Sequence, residues 1–380
     1  MSDPVSAPPG AAGADVGDGR GDTSPTRLSA REAIEYCYQN GWTDGLPVVP
    51  CTDELLDQFL AAVDRSPDEV VLAMPQLNRS CSVRLAAINA VMAGCLPEYF
   101  PTVLAAWDSL REEGYTAKGI WQSTTGTAQF LVVNGPVRER IQLNSKGNVF
   151  GPGFRANATI GRAIRLTALN VFDLRPQVLD QATQGTPAKY TCCIAENEED
   201  TPWPALHQEF GFRPDQSTAT ATTMRSILHI EARHTTVAED LLRDIANSVA
   251  RTGSQLHETI SCCVVLSPEH AHLLADSGWS KRDIKNFLFD EVVHSRAFLD
   301  RVGKGAVSRH TRWRVPYDHP EATIDEGVDA EHDALRLLTS PEAVLVVVAG
   351  ASNSGVSAVA ETFGARGGRP AIAQVEERRP

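Results

Sequence analysis

Short apolar runs alternate with segments of helical spacing along this chain, and this alternation constrains the fold more than any other feature. The runs 129–136 (QFLVVNGP), 260–268 (ISCCVVLSP) and 342–350 (EAVLVVVAG) are valine-rich and bounded by Gly or Pro, as strands are. Segments 157–172 and 280–295 place apolar residues three and four apart, which predicts helices. We therefore expect an α/β fold with mixed sheets and flanking helices, and the alternation is compatible with two related lobes.

Composition divides the 380 residues into three segments. Residues 1–27 are rich in Pro, Gly, Ala, Ser and Asp, cannot bury a core, and are predicted to be a disordered tail. Residues 28–215 are predicted to form a motif-bearing α/β lobe, and residues 216–380 a second one. The start of the chain lacks the apolar segment of a secretory signal, and no run of about 18 apolar residues occurs. The sequence thus predicts a cytoplasmic protein without a membrane span.

The net charge of −13 limits the choice of partners. Nucleic acid and anionic membranes repel an acidic protein, so neither is expected to bind. An anionic ligand would need a local basic or glycine-rich site.

The stretch 148–166 (NVFGPGFRANATIGRAIRL) is the first candidate for such a site. Its glycines let a ligand approach the backbone, and the first turn of the following helix offers unpaired N–H groups and a positive dipole end. We predict that it binds a carboxylate, phosphate or sulfate. The residues expected to bind the substrate are Asn144, Gly151, Gly153, Arg155, Asn157 and Arg162. A glycine-rich connection with solvated arginines is the alternative, and a nucleotide loop is disfavoured because no strand immediately precedes it.

A second candidate loop lies near the C-terminus. Residues 344–364 read as strand, loop and helix, with the small residues Ser352, Ser354, Gly355 and Ser357 following the strand. Ligands bind at this position in open α/β sheets. An ordinary strand-to-helix turn explains the pattern equally well. Upstream, 119–126 (GIWQSTTG) reads as a further short β run.

Two cysteine–glutamate pairs are the candidate catalytic groups. Cys95 follows an apolar helix with Glu98 three residues on, and Cys193 precedes Glu196 by the same spacing. A thiolate is a nucleophile, and a carboxylate can transfer the proton. Cys192 and Cys193 are predicted to lie on opposite faces of a strand. Structural cysteines are the alternative, since the C-terminal end of a helix does not favour a thiolate at Cys95.

Metal-binding patterns are weak in this sequence. No CxxC pair or zinc-type Cys/His spacing occurs, so no metal ligand is assigned and the cofactor is unknown. His229 and Glu231 are predicted to lie on one side of a strand. Together with Cys193 they leave a metalloenzyme as an alternative.

Four motifs together carry a resemblance: NGWTDGLPVVP, AINAVMAGCLPEYFP, NVFGPGFRANATIGRAIRL and YTCCIAENEE. The chain resembles, over roughly residues 36–212 and more faintly 343–364, a poorly characterised bacterial family associated with UGSC-type (selenocysteine- or cysteine-Gly-Ser-Cys) thioredoxin-like proteins. The resemblance implies that the motifs meet at one site. The residues it points to are Cys95, Glu98, Arg155, Asn157, Cys193 and Glu196.

The chain also departs from that family's pattern. Cys51 replaces a proline, Arg84 stands where an acidic residue is common, and 350–357 lacks a lysine and a histidine. An altered substrate, altered chemistry or loss of activity would be consistent with these departures.

The residues and the resemblance together predict an enzyme of specialised metabolism that acts on a small anionic metabolite. Cys95 or Cys193 would be the nucleophile or thiol donor, and Glu98 or Glu196 the proton-transfer group. The resemblance implies thiol-dependent chemistry, with a lyase or transferase making or breaking a C–S or C–heteroatom bond. The alternatives are the metalloenzyme and a non-catalytic binding or scaffold subunit for a thioredoxin-like partner. A homo-oligomer is compatible with each.

Overall fold

The structure is a computed structural model that describes residues 28–114, 119–251, 260–303, 334–362 and 370–376. The predicted tail, 1–27, lies outside these residues. Within the described ranges, no helix is both long and apolar enough to cross a membrane.

Helices and strands alternate in both halves of the chain. The elements of the first half are α1 (Ala30–Gln39), α2 (Asp53–Ala61), β1 (Val70–Met74), β2 (Arg79–Ser82), α3 (Val83–Ala93), α4 (Phe100–Glu113), β3 (Ala128–Asn134), α5 (Val137–Arg140), α6 (Arg155–Asn170), β4 (Cys193–Ala195) and α7 (Leu206–Glu209). Those of the second half are β5 (Thr218–Glu231), α8 (Ala238–Val249), β6 (Ser261–Leu266), α9 (Pro268–Asp276), α10 (Lys281–Glu291), β7 (Val293–Ser295), α11 (Arg296–Arg301), β8 (Ala334–Arg336), β9 (Val344–Val348), β10 (Val356–Thr362) and β11 (Ile372–Gln374).

One seven-stranded mixed sheet organises the molecule. Its strand order is β4-β3-β5-β10-β6-β9, and β11 pairs with the first residues of β5. The outer pairs β3–β4 and β6–β9 are parallel, and the pairs between them are antiparallel. The predicted α/β fold with a mixed sheet and flanking helices is therefore confirmed.

The two halves of the sheet have the same arrangement of strands, because the same succession of elements occurs twice along the chain. The succession β3–α5–α6–β4–β5 recurs as β6–α9–α10–β9–β10, with α7 and the β7–β8 segment as insertions. In each copy the last strand pairs antiparallel with the first, and the two last strands, β5 and β10, pair with each other. We call these units the first and second copy. The division at residue 216 stays a prediction, since β5 pairs with strands of both copies.

The sheet curls until its outer strands meet at their carboxyl ends. The N–H of Asn197 donates to the carbonyl of Val348 at 2.7 Å. The N–H of Gly350 donates to the carbonyl of Ser145 at 2.9 Å. The concave face holds a core shared by both copies, which includes Phe130 and Val347. Helices cover the other face in two separate cores, one for each copy.

The helices predicted at 157–172 and 280–295 are present as α6 and α10, and a capping box between Ser280 and Asp283 starts α10. The helix predicted after Gly355 is wrong, because Val356–Thr362 is strand β10, paired on both sides in the sheet. The segment mixes alanines, which favour a helix, with valines and a threonine, which favour a strand, so tertiary pairing decides.

The β run predicted at 119–126 is also wrong. Gly119 adopts a left-handed conformation, with φ of 87°, and a short 3₁₀ helix, Ile120–Gln122, follows it. This helix buries Trp121 against Trp107, with ring centroids 6.2 Å apart. Packing of the indole thus determines the local structure.

Candidate functional site

Helix α6 lies at the centre of the residues that the sequence singles out. It packs closely on the strand region beside it, because Gly161 has no side chain: a Cβ there would lie 2.4 Å from Thr191 Oγ1. The other three sequence motifs contact this helix, through Gly94, Cys193 and Asp44.

Arg155 holds the start of α6. Its Nε donates to the carbonyl of Gly94 at 2.9 Å, which places the guanidinium beside the AGC-x-PE segment. Arg155 is exposed, as is Glu98 in the 3₁₀ helix Pro97–Tyr99. Solvent screens charges in such a position, so the electrostatic attraction of this helix start for an anion is weak.

Asn144 and Asn157 connect elements within the protein. The Asn157 carboxamide oxygen accepts from the N–H of Asn144 at 2.8 Å, and its Nδ2 donates to the carbonyls of Asn144 and Cys193 at 3.0 Å each. Asn144 Nδ2 donates to Gly147, and its Oδ1 accepts from Lys146. Both side chains are buried. Their hydrogen bonds fix α6 to β4 and to the loop before α6, and the expected contacts with a ligand stay a prediction.

The two candidate thiols are buried in the helix-side core of the first copy. Burial raises the pKa of Cys95 to about 12, although Thr159, Arg155 and Arg162 act in the opposite direction. Burial, with smaller effects of the Cys192 and Cys95 thiols, also raises the pKa of Cys193. Both groups are thiols at neutral pH. Cys192 packs in the concave core, so the predicted opposite faces are confirmed.

Glu196 lies apart from these thiols, where the two outer strands meet. Its carboxylate accepts hydrogen bonds from Asn134 Nδ2 at 2.6 Å, the N–H of Leu206 at 2.7 Å, and both Lys281 Nζ and the N–H of Val348 at 3.4 Å. The side chain has no exposed surface. Four donors from both copies therefore engage the group that the sequence offers as a proton-transfer residue.

Arg162 joins α6 to the DGLPVVP motif. It forms a two-pronged ion pair with Asp44, at 2.8 Å and 2.7 Å, and also donates to the carbonyls of Leu46 and Pro47. Planar, paired contacts of this kind are the strongest that arginine makes. Arg162 thus has acceptors within the protein, and its predicted role in substrate binding stays a prediction.

Gly151 and Gly153 lie on the loop before α6. Gly151 lines a cavity of about 490 Å³ between residues 147–151 and residues 349–358, so the two candidate ligand loops face each other. Gly153 is exposed, with φ of 126° and open space around its Cα, so it shapes the turn. We call this space the inter-loop cavity.

A larger cleft, of about 710 Å³, opens farther along α6. Arg165 and Leu169 line one side, and the loop 174–190 lines most of the rest. Arg165 is 9% exposed and Asp180 4%, whereas Lys189 is 17% exposed. We call this space the α6 cleft.

Arg165, Asp180 and Lys189 form a charged triad in the α6 cleft. Arg165 Nη2 lies 3.3 Å from Asp180 Oδ2, and Lys189 Nζ lies 2.7 Å from Asp180 Oδ1 and 2.5 Å from Oδ2. The Arg165 guanidinium stacks over Trp121, 5.2 Å from the ring centroid, and its Nη1 has no hydrogen-bond acceptor among the described residues. Two cations thus share one carboxylate.

Both cations of the triad have lowered pKa values. Burial lowers the pKa of Arg165, although Asp180 opposes the shift. Burial also lowers the pKa of Lys189; Asp180 opposes that shift and the Arg165 charge adds to it. Arg175, which also lines the cleft, pairs with Asp173 at 2.7 Å, so it adds little to the excess positive charge of the triad.

Sequence reasoning missed Asp180 and Lys189. Both lie in an irregular segment without periodicity or motif, where a charged residue predicts only solvation. Asp180 is 15 residues from Arg165 in the chain, and this separation does not indicate a contact either. A basic residue spaced three from Arg162 on α6 was the one available hint.

The metalloenzyme alternative gains no support from the residues that the structure describes. Among the described residues, no group of three or more His, Cys, Asp or Glu is placed to hold a metal ion. Glu231 pairs with Arg233 at 3.1 Å, and Cys193 lies in the helix-side core. His229, Glu231 and Cys193 are thus not brought together.

Comparison with known proteins does not assign the chain to a family. No protein-family model, curated protein or solved structure matches this chain. The resemblance to the UGSC-associated family therefore stays a prediction.

Proposed function

We propose that this protein binds a small carboxylate-bearing metabolite in the α6 cleft. The observation that carries the proposal is the triad, in which Arg165 and Lys189 share the single carboxylate of Asp180. One positive charge is left over on the lining of the cleft, where Arg165 and Asp180 are buried and Lys189 is 17% exposed. A ligand carboxylate would balance this charge.

The chemistry of the triad fits such a ligand. Lys189 has three N–H donors and Asp180 occupies at most two of them, so one remains for a ligand oxygen. Hydrogen bonds to charged groups contribute about 1.5–3 kcal/mol, more than neutral ones. The cleft volume of about 710 Å³ falls within the range typical of small-molecule sites.

This proposal keeps the anionic metabolite predicted from the sequence but moves it along α6, from the exposed Arg155 to the buried Arg165. An enzyme with thiol-dependent chemistry stays a prediction, and the burial of Cys95 and Cys193 does not favour it. The thioredoxin-like partner and the homo-oligomer stay predictions as well.

Titration calorimetry with succinate as the probe tests the proposal. Lys189→Met leaves Arg165 and Asp180 as a neutral pair, so we expect succinate affinity to fall about 10- to 100-fold, the equivalent of one charged hydrogen bond. Arg213→Met removes the same charge from an exposed pair with Asp215 and should leave affinity unchanged.

A third variant, Arg155→Ala, separates the two locations on α6. If it weakens binding while Lys189→Met does not, the anion binds at the helix start and the proposal is wrong. Unchanged affinity in both variants, or no succinate binding by the unmodified protein and none by acetate or glutarate, would also contradict it.

A further inference from the structure

The charged triad of the α6 cleft places a lysine beside a carboxylate base. Lys189 Nζ lies 2.7 Å from Asp180 Oδ1 and 2.5 Å from Oδ2, within reach for proton transfer. Arg165 Nη2 lies 3.3 Å from Asp180 Oδ2, so a third group holds the base from the other side. A nucleophile, a base in contact with it and a group that orients the base are the parts that covalent catalysis requires.

The loop 174–190 fixes the position of the lysine. Lys189 ends the short 3₁₀ helix Pro187–Lys189, which the Thr186 side chain caps. The stem of the lysine lies against Gly185, where a Cβ would be 3.8 Å from the lysine Cδ. Lys189 lines the cleft and its side chain is 17% exposed, so a ligand in the cleft can reach the amine.

Backbone hydrogen bonds fix the orientation of the base. Asp180 Oδ1 accepts from the N–H of Ala182 at 3.1 Å, and the N–H of Asp180 donates to the carbonyl of Arg175 at 3.0 Å. The carboxylate is 4% exposed and also lines the cleft. Asp180 is therefore held between the guanidinium and the amine, where it can take and return a proton.

Lys281 is a buried lysine with a structural role, and its surroundings differ from those of Lys189. Burial opposes the charge of Lys281, but Glu196 and Glu209 outweigh burial and raise its pKa. Lys189 has one carboxylate, which it shares with a guanidinium; burial lowers its pKa, and the guanidinium charge adds to the shift against the effect of the carboxylate. A lowered pKa increases the fraction of free amine, which is the nucleophilic form.

We propose that Lys189 forms a Schiff base with the carbonyl carbon of a short oxo acid bound in the α6 cleft. This inference rests on the proposed function, because the charge left over in the triad holds the carboxylate of the oxo acid. A Schiff base in its protonated, iminium form carries the same charge as the ammonium group that it replaces. The carboxylate therefore keeps its counter-charge throughout the reaction. The cleft volume of about 710 Å³ accommodates a short oxo acid.

The reaction balances with water as the only by-product. Asp180 takes a proton from the Lys189 ammonium group, and the free amine attacks the carbonyl carbon, so that a C–N bond forms and the C=O electron pair moves to oxygen. Asp180 returns the proton to that oxygen, which gives a carbinolamine. It then takes a second proton from nitrogen and delivers it to the hydroxyl group. Water leaves as the nitrogen lone pair forms the C=N bond, and no oxidant or further reactant is needed.

Reductive trapping with pyruvate and sodium borohydride tests the Schiff base. Borohydride delivers hydride to the C=N bond and makes the adduct permanent. We expect one adduct per chain by intact mass, located on Lys189 by peptide mass spectrometry. Lactate lacks the carbonyl and should give no adduct. Succinate at about ten times its Kd should slow trapping about 10-fold, because it occupies the same charged site.

A charge-conserving variant separates this inference from the proposed function. Lys189→Arg keeps the positive charge but cannot form an imine, so it should lose the adduct and still bind succinate. Lys146→Arg changes an exposed lysine in the same way and should keep the adduct. Succinate binding by the unmodified protein without an adduct on Lys189, or equal trapping in Lys189→Arg, would overturn the Schiff base and leave the carboxylate site standing.

Competitive labelling of the unmodified protein with trace acetic anhydride gives a reading that does not depend on how the variants fold. Acetylation of Lys189 should rise with pH through a midpoint below about 10.4, the ordinary pKa of lysine, because burial and the adjacent guanidinium disfavour its charge. A lysine that only anchors the loop through its ion pair would have a midpoint at or above that value, and this result would overturn the proposal.

Discussion

Lys281 Nζ lies 3.4 Å from the buried carboxylate of Glu196, and this ion pair joins the two copies of the repeated topology. Glu196 follows β4 in the first copy, whereas Lys281 starts α10 in the second. Lys281 also binds Glu209 and the carbonyl of Pro204. A carboxylate that the sequence offers for catalysis thus has a structural role.

Loss of the lysine should strongly destabilise the fold. Lys281→Met leaves Glu196 buried without its counter-ion, and breaking a buried pair in this way costs about 3–5 kcal/mol. The adjacent Arg282 forms an exposed pair with Glu342 at 3.4 Å, so Arg282→Met should cost only about 0–1 kcal/mol. Urea unfolding of both variants measures the difference, and equal losses would refute the structural role.

The same lysine predicts an alkaline limit to stability. Burial opposes its charge, but Glu196 and Glu209 outweigh burial and raise the pKa of Lys281. Stability from a raised pKa is fully present below the unfolded value, about 10.4, and is lost as pH rises through the folded value. The free energy of unfolding should therefore fall above about pH 10.4 in the unmodified protein. A Lys281→Met variant with the same slope there would contradict this.

Thiol labelling should begin at Cys51. Seven of the eight cysteines are buried and Cys51 is half-buried, although burial and Asp53 raise its pKa to about 11. Iodoacetamide at pH 7 should react slowly, first at Cys51, and Cys51→Ala should abolish that first modification. Faster reaction at Cys95 or Cys193 would instead support the thiol chemistry that the sequence predicts.

Asn157 should matter for stability and not for anion binding. Asn157→Ala leaves the N–H of Asn144 and the carbonyl of Cys193 without this partner, whereas the carbonyl of Asn144 still accepts from the N–H of Ala195. Each unsatisfied buried group costs about 1–3 kcal/mol, so we expect a loss of about 2–4 kcal/mol. Succinate affinity, measured below the new melting temperature, should not change. A folded variant with weakened binding would return the ligand to the start of α6.

More of the fold than of the sites could be predicted from the sequence. Valine-rich runs and helical spacing identified β3, β6, β9, α6 and α10, because one-dimensional periodicity reflects burial directly. β10 was not predicted because it mixes alanines, which favour a helix, with valines and a threonine, which favour a strand, and pairing with its two neighbouring strands decides between them.

The sites depend on contacts that no local pattern encodes. The motifs did identify α6 and both loops of the inter-loop cavity, since glycines mark close approach. They could not separate Arg162, which Asp44 neutralises, from Arg165, which shares its carboxylate with Lys189. Nor could they pair Ser357 with His270, because the antiparallel pairing of β10 with β6, which α9 follows, brings them together.

Gly355 offers a last check on the packing around His270. Its absent side chain makes room for the imidazole, since a Cβ would lie 2.5 Å from Nε2 and 3.2 Å from Glu269 Oε1. His270 is buried, and its two ring nitrogens are hydrogen-bonded to Ser357 and Ala232, so moving the ring aside would cost free energy. Overpacking of this kind costs about 1–3 kcal/mol, which is what Gly355→Ala should lose. Gly147→Ala is the matched control on another loop, because its Cβ would meet Ala351 at an ordinary 3.4 Å. Thermal unfolding of the two variants decides: equal melting temperatures would show that His270 is not held as described.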